Sequence, residues 1–182
     1  EILRRPRVPT GHVRDENVAT GPGSCLYICP NDAAVVSALQ PLVTWRARQG
    51  YNVVVATTAQ TGTTNTAIKA YIQSAYNTYD PPLEFVTLVG DATGTVSLTC
   101  WFETLSGYSG EGDHDYTMLA GSDILSDVHL GRLSVTSATE LTTVVTKIVS
   151  YESDPDLSES NWFTTAGLTG DPASSGYSCV WV

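Results

Sequence analysis

Three kinds of side chain in this chain could do chemistry: nineteen Asp and Glu, four cysteines and three histidines. The acids draw attention first, because several stand where a strand end or a tight turn would hold a carboxylate still. Asp91 follows an apolar run that ends in Val-Gly, and Asp171 follows Thr-Gly after another short run. Asp123 and Asp127 lie four residues apart in Ala120-Gly-Ser-Asp-Ile-Leu-Ser-Asp127. Calcium takes six to eight hard oxygens at about 2.3–2.6 Å, and loops supply them by mixing carboxylates with backbone carbonyls. Asp91, Asp123 and Asp127 offer the charge for such a site, and the carbonyls of Ala120 and Leu125 the remaining oxygens. Three converging carboxylates without a cation would repel one another, so a structural Ca2+ would account for their grouping. The plainer reading stays open: a solvated acidic hairpin in which Asp123 and Asp127 cap turns.

The cysteines, at 25, 29, 100 and 179, match no CxxC or zinc-ribbon spacing. Cys25 and Cys29 flank Leu-Tyr-Ile, a strand-like run that would hold them about 13 Å apart. A disulfide needs Cα atoms within about 7 Å, so these two are not expected to pair. Cys100 and Cys179 can pair with each other or stay as buried thiols. His12 lies in the basic N-terminal stretch, His114 between Asp113 and Asp115, and His129 inside an apolar run. None has a neighbouring Cys or Ser that would make a nucleophile–base pair within one motif. No GxGxxG, Walker lysine motif or GxSxG elbow is present.

These residues sit in a chain of 182 residues, 42% hydrophobic and only 15% charged, long enough for one domain plus an arm. Nine Lys and Arg against nineteen Asp and Glu give a formal net charge of −10. Arg4, Arg5, Arg7 and Arg14 all fall in the first fourteen residues, so the body beyond them is more acidic still. Such a surface repels phosphate backbones, which argues against nucleic acid as a partner. No apolar run approaches the roughly 20 residues that span a bilayer. Few lysines and many Thr, Ser, Gly and Asp lean towards a secreted, extracellular or cell-surface protein.

Residues 1–24, rich in proline and basic charge, read as an extended N-terminal arm, and residues 25–182 as the folded body. Leu26-Tyr-Ile is a short strand, and Asn31 or Asp32 caps the helix that follows, with Pro41 expected to kink or restart it. Tyr51–Thr57 and Leu83–Val89 are β-branched runs of the kind buried on both faces. Between them a helix opens near Thr64 or Thr66 and stops before Pro81 and Pro82. This β-α-β-α-β order predicts an open α/β sheet, mainly parallel and flavodoxin-like, with helices on both faces. Residues 92–113 read as an irregular excursion. Tyr116–Ala120 and Val128–Val135 read as strands of a small β-hairpin insertion. Ser137-Ala-Thr-Glu140 is a capping box that opens a last helix, and Thr164–Thr169 reads as a final strand. Ligands of such sheets collect beyond the carboxyl ends of the strands, where Asp91, the 113–127 cluster and Asp171 all fall.

The segments ALQPLVTWRARQGYNVVV, IKAYIQSAYNTYDPPLEFVTLVGD and DHDYTMLAGSDILSDVHLGRLSV carry a further signal. A strand-ending Val-Gly-Asp, then D-x-x-Y, then D-x-x-x-D-x-x-x-G-R, in that order, resembles the gingipain family of cysteine peptidases. The likeness runs from about Leu26 to Asp171. It implies the N-terminal half of a caspase-like α/β catalytic domain, and a calcium site on the five positions 91, 120, 123, 125 and 127. The family's catalytic His lies in a Gly-His-Gly context that this chain lacks, and Cys179 comes too early to be its nucleophile.

The resemblance therefore implies the N-terminal subdomain of a secreted cysteine endopeptidase, supporting a His–Cys dyad that lies outside these 182 residues. Asp171 is the candidate acid for orienting the catalytic His, or else a helix cap. The expected partners are the missing catalytic half or a companion chain, and a peptide or protein substrate in the intact enzyme. A non-catalytic secreted module that kept the half-fold for binding or export is the competing reading. The apolar tail Tyr177, Val180, Trp181 and Val182 is expected to pack on another segment or another molecule.

Overall fold

Ser24–Cys29 forms β1, and all six of its residues are buried, as an uninterrupted apolar run between two helical layers demands. The computed structural model describes residues 22–105, 108–158 and 161–166. Asp32 then caps α1, Ala33–Arg48, its carboxylate accepting from the backbone N–H of Ala34 at 2.7 Å and Val35 at 3.2 Å. The helix runs through Pro41 without the restart expected from the sequence. Gly50, at φ +94°, turns the chain into β2, Asn52–Thr57.

A single-turn helix, α2, Thr58–Thr61, precedes α3, Asn65–Thr78. Thr64 caps α3 by accepting from the Ala67 amide at 3.2 Å, and Ile68, Ile72 and Ala75 form its buried stripe. β3, Leu83–Val89, follows. A two-stranded antiparallel hairpin comes next, β4 (Trp101–Leu105) and β5 (Tyr108–Gly112), then β6, His129–Leu133, and α4, Ala138–Ser153. Ser137 caps α4 through the Glu140 amide, and the Glu140 carboxylate reaches back to the backbone and hydroxyl of Thr136.

The main sheet has the order β2-β1-β3-β6, and every pairing in it is parallel. Alternation along the strands divides the core in two. Cys25, Tyr27 and Cys29 face α1 and α4, packing with Val35, Leu39, Leu42, Leu141 and Val145. Leu26, Ile28, Val86 and Leu88 face the other way, onto Ile68 and Ile72 of α3 and onto Tyr116. The expected open α/β sheet with helices on both faces is what forms.

Two expectations need correction. Tyr116–Ala120 is not a strand: His114–Tyr116 is a 3-10 turn, and the fully buried Tyr116 ring plugs the α3 face of the sheet. The hairpin insertion lies instead at 101–112, inside the stretch read as irregular. Near the end of the described chain, Asn161–Thr164 is a 3-10 turn and 165–166 are irregular, so the strand expected over Thr164–Thr169 does not start at Thr164, and its remainder, 167–169, lies outside the described residues. So do the arm up to Gly21, Asp171, Cys179 and the apolar tail, although Ser24, assigned to the arm, already belongs to β1.

Candidate functional site at the carboxyl edge of the sheet

The polar motif residues converge on Arg132 in β6. Its Nε and Nη2 donate to the two Asp113 oxygens, each at 2.7 Å, a bidentate pair whose planar geometry a lysine could not reproduce. Its Nη1 donates to the carbonyls of Gly90 at 3.0 Å and Leu98 at 2.9 Å, and lies 3.4 Å from that of Asp91. Burial by itself would loosen the proton of this guanidinium, and the Asp113 carboxylate more than reverses the effect.

Gly90 must be glycine: at φ +124° an added Cβ would come within 3.0 Å of the Val96 carbonyl oxygen. The Asp91 amide then donates to the carbonyls of Val96 and Val135, which locks the end of β3 to the loop after it and to the end of β6. Tyr116, with its hydroxyl donating to the Thr99 carbonyl and burial pushing it up to about 12, stays a neutral phenol. Its ring meets the Trp101 indole edge-on at 6.1 Å, anchoring the hairpin.

The expected calcium ligands take structural bonds here. Asp127 Oδ2 accepts from the backbone N–H of both Leu119 and Ala120 at 2.7 Å. Asp123 Oδ1 accepts from the Leu125 amide at 2.9 Å, an Asx turn, and Asp91 Oδ1 accepts from the Ala92 amide. Each acid keeps its second oxygen outside these bonds. Among the described residues no three His, Cys, Asp or Glu side chains gather so as to hold a metal ion. One oxygen of each of the three acids thus takes part in shaping its own loop or turn.

Among the described residues no nucleophile–base pair emerges either. Cys25 and Cys29 both lie in β1 as free, buried thiols that burial pushes up to about 11, so neither yields a thiolate at neutral pH. Cys100 is a half-buried thiol, also raised by burial. His114 donates Nε2–H to the Ile124 carbonyl at 3.0 Å and pins the 120–127 loop, while His129 stacks on Phe85 at 5.3 Å. A cleft of about 620 Å³ opens beside this edge, lined by Thr58, Thr64, Asn65, Ser97, Thr99 and Cys100. It offers hydroxyls and amides, and no charged side chain. The role of Arg132 escaped the sequence reading. The available signal was an arginine inside a short strand, in a body with few other cations.

The sequence model of peptidase family C25 matches residues 19–178. This chain belongs to that family. Lys-gingipain of Porphyromonas gingivalis is 33% identical over 124 residues, which cover 63% of the C25 chain and 7% of that much longer protein. A solved structure described only as that of a protease superposes with a TM-score of 0.63 at 30% identity, over 75% of this chain and 30% of the other. The Arg-specific cysteine proteinase gingipain R (RgpB) does so with a TM-score of 0.61 at 21% identity, over 74% and 29%. The P. gingivalis complex of RgpB pro- and mature domains gives 0.61 at 23%, over 71% and 29%. At these last two identities the likeness shows the fold alone. No helix of the described residues is long and apolar enough to cross a membrane.

Proposed function

We propose that this chain is the N-terminal subdomain of a gingipain-like cysteine endopeptidase, secreted or held at the cell surface, and that it supports a His–Cys dyad supplied by polypeptide outside it. The observation that carries this reading is chemical. The described cysteines of a C25 chain are poor nucleophiles, two of them sealed in β1 with thiols near 11, and no histidine stands against any of them. Its share of the relatives fits the same view, since it spans 7% of Lys-gingipain and about 30% of the protease structure. Asp171 remains our candidate for orienting the catalytic imidazole. Peptide or protein is the substrate, and the catalytic half or a companion chain the partner.

The reading includes a structural calcium ion on the 120–127 loop and Asp91. The free second oxygens of Asp91, Asp123 and Asp127 and the carbonyls of Ala120 and Leu125 support it. It requires Asp91 and the loop acids to draw together from the arrangement seen here.

The test is expression of this chain with and without the polypeptide that follows it in its gene. The longer product is expected to hydrolyse peptide amides in a thiol-sensitive manner, through a strand-end Cys and a Gly-His-Gly histidine. A gene that stops at Val182, with partner binding and no hydrolysis, would favour the binding or export module instead.

A further inference from the structure

Glu152 stands in the last turn of α4, where helix electrostatics disfavour an acid. The carbonyl end of a helix carries partial negative charge, which calls for a cation. α4 has no basic residue in its last turn, while α1 ends with Arg46 and Arg48 in its own. The two helices pack into the same side of the core, and Arg46 supplies the missing cation across that contact.

The Glu152 carboxylate takes four donors, all from the end of α1. Arg46 closes on it with both terminal nitrogens, Nη2 to Oε1 at 2.8 Å and Nη1 to Oε2. Oε2 also accepts from the Trp45 indole at 2.7 Å and from the Gln49 side-chain amide at 3.2 Å. Gln49 Oε1, the acceptor among these side chains, is engaged by Arg46 Nη1 at 2.7 Å. A protonated carboxyl must itself donate, and here it would point its proton into a group of N–H donors. The Arg46 bonds, followed by those of Trp45 and Gln49, hold the Glu152 carboxyl below its ordinary range. Tyr27 and Cys25 of β1 lie behind Arg46, with Glu84 of β3 beyond Cys25. Burial raises Tyr27 and Cys25, so neither changes charge in acid.

Little else fixes this turn. Leu141 and Val145 are buried and anchor the first half of α4, and Ile148 and Val149 pack partly into the same core. Beyond them Tyr151 is 62% exposed.

We infer that Glu152 is an acid-sensitive clasp. Ionised, it ties the last turn of α4 to the last turn of α1. Protonated, it releases that turn while the sheet and the first half of α4 stay folded. The polypeptide beyond Asp154 then leaves from a fixed point at neutral pH and from a frayed one in acid. Folding favours the ionised form, so the clasp contributes above the ordinary Glu range and is lost as the pH falls through the lowered value.

NMR of the 182-residue chain, titrated from about pH 6 to about pH 2, tests this. The Glu152 carboxyl carbon, the Trp45 indole N–H and the helical Cα shifts of Tyr151, Glu152 and Ser153 are expected to change together in one step. Leu26, Leu88 and Leu141 keep their native shifts through that step. Glu152→Gln is expected to show the frayed turn already at the starting pH and to lack the step. Helical shifts that persist over 151–153 once Glu152 is protonated would overturn the inference, as would global unfolding before or with that protonation. A last turn in Glu152→Gln that matches wild type would overturn it too. Should that variant not fold, the titration decides alone.

Discussion

Arg132 closes both ends of its guanidinium fork on the carboxylate of Asp113, nineteen residues earlier in the chain, with both donor distances at 2.7 Å. One pair thereby joins the D-x-x-Y and G-R parts of the sequence signature, and the spare Arg132 nitrogen adds the Val-Gly-Asp part through the Gly90 and Leu98 carbonyls. The three separated motifs are one hydrogen-bonded node at the carboxyl edge of the sheet.

Removing one partner of such a pair strands the other charge. Arg132→Met is expected to cost about 3 kcal/mol in urea unfolding, at the low end for buried pairs because the Asp113 side chain keeps 22% exposure. Arg132→Lys recovers only part of that loss, having no fork. The double variant Arg132→Met, Asp113→Leu should be more stable than Arg132→Met alone. A single variant with wild-type stability would show that the node is ornamental.

Gly90→Ala forces a side chain onto a φ of +124° and against the Val96 carbonyl. A loss of about 1–3 kcal/mol is expected. The urea midpoint checks it, and an unchanged midpoint would mean that the β3 end relaxes freely.

Much of this architecture is readable from residue order. The strands β1, β2 and β3 are apolar runs with no competing helical period, and Asp32, Thr64 and Ser137 are side chains whose acceptors fit helix starts and little else. The misses have physical causes. Trp101-Phe-Glu-Thr-Leu105 does not alternate apolar with polar residues and its partner strand is rich in glycine and serine, so the hairpin was hidden: Trp101 packs on Tyr116 in place of β-branched cross-strand pairs. Tyr116–Ala120 looked like a strand because its apolar residues are buried, and burial there serves a plug between α3 and the sheet. The site acids were legible as residues and not as bonds: which oxygen of Asp127 meets which amide depends on how the loop closes.

The β1 thiols make a pH prediction. Burial raises Cys25 and Cys29 from 9.0 to about 11, so the folded chain keeps protons that the unfolded chain releases. That contribution to stability is fully present below about pH 9 and is lost as the pH rises towards 11. Both residues should resist alkylation in the native chain at pH 8 and react on unfolding, as mass spectrometry can show. Native labelling at the unfolded rate would contradict their burial.

Calcium is tested by calorimetric melting. If the loop acids and Asp91 take up the ion, calcium at about 100 times its Kd adds about 2.7 kcal/mol to stability. The gain should vanish in EDTA and in Asp123→Asn. A midpoint that calcium and chelator leave unmoved removes the site.

The most direct measurement of the central claim is peptidase activity in a polypeptide that extends this chain through its downstream sequence, with all four of its own cysteines replaced by serine. Retained hydrolysis that iodoacetamide abolishes, with no hydrolysis by the 182-residue chain alone, is the result expected if these residues support a dyad held elsewhere. Loss of hydrolysis with the Cys25, Cys29, Cys100 or Cys179 thiol, in a variant that still folds, would contradict it.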